Sequence, residues 1–362
     1  MASSDIVLIA PWSVGAAHVE RSENLHIRRT MYARWTHDKV ADEAILPSLR
    51  AHPAKLFQLP GLLWALYRGL DRAVRDHKPD VLHAHWIVPG GLLAVLIGGR
   101  RQIPVVVTAH GADAHAMNGR VGTILKRFVL RRAARTFPVS NEIATLLRKV
   151  EVEAVGPVLT MGVSGDQLQT EAGPRNPVAG RVVFVGRLSD KKGVDVLLAA
   201  AGLAQQVREL RIIGDGPDRD ALQQQTIELG VEDRVSFLGK LTAAEVATEL
   251  NAASAVALPS KSGAGGDRDG TPVVLMEAMT LGVPVVVSDL GGLGEHVTDQ
   301  QTGLVVAQDD PDALSTALDA LLSSPTLQAH LGERAQHYAK EFFEVSAIGA
   351  RFEEHIRREL GS

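Results

Sequence analysis

The chain has 362 residues, no cysteine, and 22% charged against 45% hydrophobic residues. This suits two α/β domains and excludes a disulfide framework and a thiolate metal site. The net charge of −4 divides unevenly, with 21 Lys and Arg against 13 Asp and Glu up to Gly165 and 17 against 29 beyond it, so a basic half suited to meeting anions precedes an acidic one.

In chain order, apolar runs of strand length fall at Ile6–Ala10, Val81–His85, Pro104–Thr108, Thr136–Val139 and Val158–Met161. They resume at Val182–Val185, Leu210–Ile213, Val235–Leu238, Ala255–Leu258, Pro284–Val287 and Gly303–Val306. Most are continuous rather than alternating, as in strands covered on both faces. Helical patterns lie between them, with Leu63, Leu66, Leu70 and Val74 on one face of the first. Alternating β and α predicts two doubly wound parallel sheets. Gln169–Arg181, with Gly173, Pro174, Pro177 and Gly180, reads as the linker, and Pro325–Leu360 as two charged amphipathic helices. The longest uncharged run, Trp86 to Gly99, falls short of the roughly 20 apolar residues a spanning helix needs. The start lacks a signal-peptide pattern, so a cytoplasmic protein is expected.

The strongest chemical signal is Asp269-Gly270-Thr271-Pro272-Val273-Val274-Leu275-Met276-Glu277. Thr271 suits an N-cap and Pro272 the first helical position, so the amides of Val273 and Val274 form an anion seat. Glu277 lies about 7.5 Å further along that helix, placed to accept from a ribose diol while the amides hold phosphate. Gly186-Arg187-Leu188-Ser189-Asp190-Lys191-Lys192-Gly193 follows a strand and offers Arg187 and Lys192 to a diphosphate. Gly214-Asp215-Gly216-Pro217 and Gly291-Gly292-Leu293-Gly294-Glu295 also end strands, where glycines let backbone approach a ligand. In the first half His110 ends one strand, and His83, His85 and Trp86 end its neighbour. No acid stands at ligand spacing from these histidines, so structural hydrogen bonding is expected of His83 and His85. The triplets Asp267-Arg268-Asp269 and Asp310-Pro311-Asp312 are the kind that chance supplies, and no metal is expected.

In this order the motifs resemble the retaining glycosyltransferases of family 4, over about residues 80 to 310. Further matching segments are Asp80–Trp86, Thr108-Ala109-His110-Gly111, Val139-Ser140, Met161-Gly162-Val163, Gly282–Val286 and Thr302–Val305. The resemblance implies an α/β chain with the GT-B fold, two Rossmann-like domains facing across a cleft, with C-terminal helices packing back on the first. Residues 1–168 would be the acceptor-side domain, 169–181 the linker, 182–340 the donor domain and 341–362 a final helix. It implies that Arg187 and Lys192 bind the donor diphosphate, Glu277 the ribose, and Asp269 and His110 the donor sugar, with Gly186, Gly214, Gly216, Thr271, Pro272, Val273 and Val274 around them. Neither metal nor other cofactor is implied, and the favoured mechanism is front-face displacement from a nucleotide sugar to a glycan or lipid-linked acceptor. The insertion Gly263–Arg268 is similar to exopolysaccharide-building members. Asp269 stands where the family usually has Glu, and Ser164 where it often has Asp. An epimerase or hydrolase on the same fold and an inactive nucleotide-sugar-binding protein are the alternatives. The glycine spacing fails a nicotinamide fingerprint.

Two expectations concern the first half. Lys126, Arg127, Arg131, Arg132 and Arg135, with Phe128, Val129 and Leu130, predict salt-sensitive peripheral contact with anionic membrane at the inner face, and nothing points to nucleic acid. Family members also open with a strand, a Gly-Gly loop and a helix, whereas the first Gly-Gly here is Gly90-Gly91. Ile6–Pro11 resembles the second family strand and Leu25–Arg29 the next, with Ala44–Pro47 after them. Met1 is therefore expected to be a misplaced start or the product of a truncated gene, with donor binding kept and transfer impaired.

Overall fold

The computed structural model describes residues 5–32, 53–115, 119–262 and 272–360. The chain divides into two compact Rossmann-like units, one of Met1–Phe137, Leu147–Gly156 and Ile356–Ser362, the other of Pro138–Leu146 and Pro157–His355. The segment Ala44–Pro47 lies outside the described residues.

In the first unit β1 (Ile6–Pro11), β2 (Val19–Arg21) and β3 (Leu25–Thr30) form a sheet of order β1-β3-β2. β1 runs parallel to β3 with Ile6 opposite Leu25, and β2 is antiparallel. β1 is an edge strand, its Ile6 and Leu8 55% and 42% exposed. It continues through a turn at Val14 and Gly15 into β2, not into a helix. Helix α1 (Leu59–His77) packs on this sheet where Gly69 has no side chain; a Cβ there would collide with Thr30 Cγ2. Its buried face is Leu62, Ala65, Ala73 and Val74, so the expected stripe was one residue out at Leu63, which is exposed.

The rest of this unit is β4 (Leu82–His85), α2 (Leu92–Arg101), β5 (Val105–Ala109), α3 (Gly111–His115), α4 (Arg120–Leu130) and β6 (Arg135–Pro138). The strands form a second sheet, β4-β5-β6, with β5 buried along its whole length. Among the described residues no strand joins this sheet to β1.

The second unit begins with α5 (Asn141–Arg148), whose last two residues belong to the first, and α6 (Gly165–Ala172). It continues with β7 (Arg181–Val185), α7 (Val194–Leu203), β8 (Glu209–Ile213), α8 (Arg219–Glu228), β9 (Val235–Gly239), α9 (Ala243–Ala252) and β10 (Ala255–Leu258). It closes with α10 (Val273–Thr280), β11 (Val285–Ser288), α11 (Gly291–Gly294), β12 (Leu304–Val306), α12 (Pro311–Leu322), α13 (Pro325–Phe342) and α14 (Val345–Leu360). The six strands run in the order β12-β11-β10-β7-β8-β9, every pair parallel. Val182, Val183, Val256, Val285, Val286 and Val287 are wholly buried, which is why these strands read as unbroken apolar runs.

Two segments differ from expectation. Val158–Met161 is no strand; Leu159 N–H donates to Pro138 O at 2.9 Å, but no ladder follows. Gln169–Arg181 does not join the units. Its first four residues complete α6, and the stretch after it is lashed to the second unit. Arg175 donates to the carbonyls of Asn251 (2.6 Å) and Ala253 (2.8 Å), and Asn251 Nδ2 donates to those of Ala172 and Pro174. The last turn of α14 belongs to the first unit, where Arg135 Nη2 meets Glu359 Oε1 at 2.6 Å.

Candidate active site

In the second unit the predicted residues that are described fall at the C-terminal ends of β7, β8 and β10, the edge where open parallel sheets bind ligands. The stretch after β7 is pinned on both sides of Arg187. Gly186 N–H donates to Ile213 O (2.9 Å) and Leu188 N–H to Asp215 O (3.0 Å), and the Leu188 side chain is fully buried. Arg187 itself projects into solvent with no hydrogen bond or ion pair among the described residues. Gly214 and Gly216 serve this arrangement in a way not foreseen. A Cβ at Gly214, whose φ is +130°, would overlap Gly186 O, and one at Gly216 would overlap the Leu188 backbone. The glycines let one loop lie on the other.

Lys192 closes a 3-10 turn, Asp190–Lys192, ended by Gly193 at φ 65°. A Cβ there would overlap Pro259 O, so the strand-end after β10 packs directly on this turn. Lys261 secures the same contact and was missed in the sequence. Its N–H donates to Lys191 O (2.9 Å), and its Nζ meets Asp195 at 2.7 Å and Asp190 at 3.3 Å.

Asp269 and Thr271 lie outside the described residues. Pro272 is the N-cap residue of α10 rather than its first helical residue. Val273 is half-exposed, while the Val274 side chain belongs to the core, leaving only its amide to offer. Glu277, one turn further in, is partly buried and takes no hydrogen bond or ion pair among the described residues. Burial, and then the charge of Glu171 on α6, push its carboxyl above the usual carboxylate range.

The Gly291–Glu295 loop has another partner. Glu295 accepts from the N–H groups of Asn141 (2.8 Å) and Glu142 (3.0 Å), capping α5, where its charge meets the positive end of the helix dipole. Gly291 lies so close to Glu142 that a Cβ would overlap its carboxylate.

In the first unit the three histidines do meet. His83 Nε2 hydrogen-bonds Thr108 Oγ1 at 2.8 Å, and His85 Nδ1 contacts His110 Nε2 at 3.0 Å, one of the two rings donating. Burial, followed by the neighbouring imidazoles, lowers His83 to about 3, and burial with His85 lowers His110 to about 4. Burial lowers His85 as well. All three imidazoles are thus held towards their neutral forms, and the His110 ring bonds His85 through Nε2. Among the described residues no group of three His or acidic side chains could hold a metal ion.

Trp86 follows β4 at φ 68°, ψ 136°, a conformation that costs a bulky side chain about 1–3 kcal/mol. Its N–H donates to Thr108 O (2.9 Å), and its carbonyl accepts from Gly91 (2.8 Å). Asp113 Oδ2 accepts from Ile87 N–H at 2.7 Å. Burial raises the Asp113 carboxyl to about 6 against these amide bonds, and its Oδ1 is buried without a partner.

The predicted basic face of α4 is not free. Lys126 is buried and donates to Ala114 O, Arg131 pairs with Glu151 and Arg135 with Glu359, and Val129 and Leu130 are core. Arg132 stacks on Phe128 at 3.8 Å. The exposed apolar residues of α4 are Val121 and Ile124. No helix among the described residues is long and apolar enough to cross a membrane.

Comparisons with known proteins give the family and the fold. Residues 171–338 match the model of glycosyl transferases group 1, and residues 19–156 that of glycosyltransferase family 4. The chain is 32% identical to a GDP-mannose-dependent α-(1-6)-phosphatidylinositol monomannoside mannosyltransferase of Mycolicibacterium smegmatis, over 79% of this chain and 78% of that one. It is 31% identical to a D-inositol 3-phosphate glycosyltransferase of Mycobacterium leprae, over 74% and 66%. Among solved structures, Anabaena HepE in complex with UDP shares the fold, with TM-score 0.73 and 18% identity over 98% of this chain and 100% of that one.

Proposed function

Since the chain belongs to the group 1, family 4 glycosyltransferases, we propose that it is a retaining hexosyltransferase using a nucleoside-diphosphate sugar, with a hydroxyl of a glycan or lipid-linked molecule as acceptor. The donor diphosphate lies on Arg187, Lys192 and the first amides of α10, and the ribose diol donates to Glu277. The bond from the sugar C1 to the diphosphate breaks as the acceptor oxygen bonds C1 on the same face, and the acceptor proton passes to a departing phosphate oxygen. Arg187 and Lys192 stabilise the charge left behind, so the reaction needs no metal. His110, neutral, hydrogen-bonds the donor sugar rather than moving a proton, and Asp269 contacts its hydroxyls.

Glu277 is the observation that carries this reading. A partly buried carboxylate without a hydrogen-bond donor, near a second carboxylate, is costly until a ligand supplies donors. Glu277→Ala is expected to weaken GDP or UDP binding by about 1.5–3 kcal/mol, measured by calorimetry. Unchanged affinity in a folded variant removes Glu277 from the site.

The same group predicts a pH effect of the opposite sign. The folded-state pKa lies above the unfolded value, so the stabilisation it gives is complete at low pH and lost as pH rises through the folded pKa. At pH 7 ionised Glu277 therefore destabilises the nucleotide-free protein. Glu277→Gln should raise its Tm at pH 7, and the gain should vanish below about pH 4. GDP and UDP, tested by thermal shift, distinguish the base, since the tighter nucleotide raises Tm more at equal concentration.

Membrane contact is retained in altered form. Val121 and Ile124, beside Arg120 and Arg127, are the side chains of α4 that reach a lipid surface. Flotation with phosphatidylglycerol vesicles at low salt should recover the wild type, and Val121→Ser/Ile124→Ser should stay at the bottom. Equal flotation of the two proteins rejects this face.

A further inference from the structure

Trp86 has no part in the chemistry above, yet its placement is unusual. The strand β4 ends at His85, and the next residue takes a left-handed φ that glycine adopts freely and tryptophan does not. Three hydrogen bonds hold the loop: Trp86 N–H to Thr108 O, Gly91 N–H to Trp86 O, and Ile87 N–H to the buried Asp113 carboxylate. The outcome is not burial, since the residue stays 41% exposed. The indole and the His110 ring are near perpendicular, 6.4 Å between centroids and 87° between planes, so the exposed indole stands beside His110. A strained backbone that presents a large aromatic to solvent beside a ligand-facing histidine marks a recognition surface.

We propose that the exposed indole face of Trp86 is the platform on which the acceptor's pyranose ring stacks. This rests on the transferase reading of the site. The C–H face of a pyranose is weakly positive and apolar, matching the negative face of an indole, while its hydroxyls reach outward to hydrogen-bonding groups. His85 supplies such a group through the ring nitrogen not bonded to His110, and burial holds its imidazole towards the neutral form. Lys126, whose charge acts on the Asp113 carboxyl behind this loop, is buried and donates to Ala114 O. The surface therefore suits an uncharged sugar ring, not a phosphorylated cyclitol.

Saturation-transfer NMR with methyl α-D-mannopyranoside, methyl α-D-glucopyranoside and myo-inositol 1-phosphate tests this on the full chain. At least one pyranoside should receive saturation, strongest on the protons of one ring face, and myo-inositol 1-phosphate none. Trp86→Phe should keep most of the signal and Trp86→Ala should lose at least threefold. Trp86→Gly should lose it equally while showing a higher Tm than Trp86→Ala, because glycine relieves the backbone. GDP and UDP thermal shifts should be the same in all four proteins. Equal pyranoside signals in wild type and Trp86→Ala, or none in wild type, overturn the platform. If the nucleotide shifts persist then, the donor reading survives. Pyranoside binding lost with Trp86, in a protein that shifts with neither nucleotide, supports the platform and overturns the donor reading instead.

Discussion

Arg187→Ala should lower kcat by roughly 10²–10³, about 2.7–4 kcal/mol of transition-state stabilisation, with little change in KM for the donor. The amides on either side of Arg187 are fixed to Ile213 O and Asp215 O, and Leu188 is sunk in the core, so the guanidinium starts from a rigid base. It has no ion-pair partner among the described residues that would have to be given up when a diphosphate arrives. Ground-state donor already carries charge, but the bridging and terminal oxygens gain more as the bond to C1 breaks. A cation held in place responds to that gain without reorganising, which is why the loss should fall on turnover. Arg187→Lys should recover part of the rate, since a point charge lacks the planar fork. Steady-state kinetics with saturating acceptor decide the matter; a raised KM at normal kcat would mean that Arg187 binds donor and transition state alike.

Gly214→Ala should destabilise the second unit by about 3 kcal/mol or more and lower kcat at least tenfold. The residue sits at φ +130°, and its missing Cβ is the space occupied by Gly186 O. An added methyl must push away the backbone that carries Arg187, so stability and turnover fall together. Gly230→Ala is the control: its φ of +64° is also unfavourable, but nothing lies within 4 Å of the added Cβ. That variant should lose only about 1 kcal/mol and leave turnover alone. On the order of 2–4 °C in Tm accompanies each kcal/mol in a unit of this size, so the two variants separate clearly in a thermal melt. Equal losses would mean that backbone strain, not the contact between loops, is what Gly214 avoids.

The second unit was legible because its strands are buried on both faces and its glycines fall where strands end. The role of those glycines was not, because a sequence shows that a Cβ is absent without showing what would have met it. Gly214 and Gly216 were read as making room for a ligand, and the occupant is backbone. Polar ties were the other blind spot. Arg175 and Asn251 bind carbonyls, and such bonds leave no periodicity, so a Gly- and Pro-containing stretch looked like a linker. Lys126 likewise counts as a surface charge until its ammonium is found against Ala114 O. Trp86 ends a strand in the sequence, but nothing in its neighbours announces a left-handed backbone.

The pairing of Arg135 with Glu359 joins residues 224 positions apart within one unit. A ribosome delivers these partners far apart in time. The second unit, apart from its few residues before Leu147, is synthesised as one stretch and can condense as it emerges, whereas the first must wait for its final seven residues. During that interval Arg135 stands at the mouth of β6 without its carboxylate, and the nascent first unit is the part of the molecule most open to chaperones. Appending a bulky fusion after Ser362 therefore burdens the N-terminal unit rather than the second unit beside it in sequence.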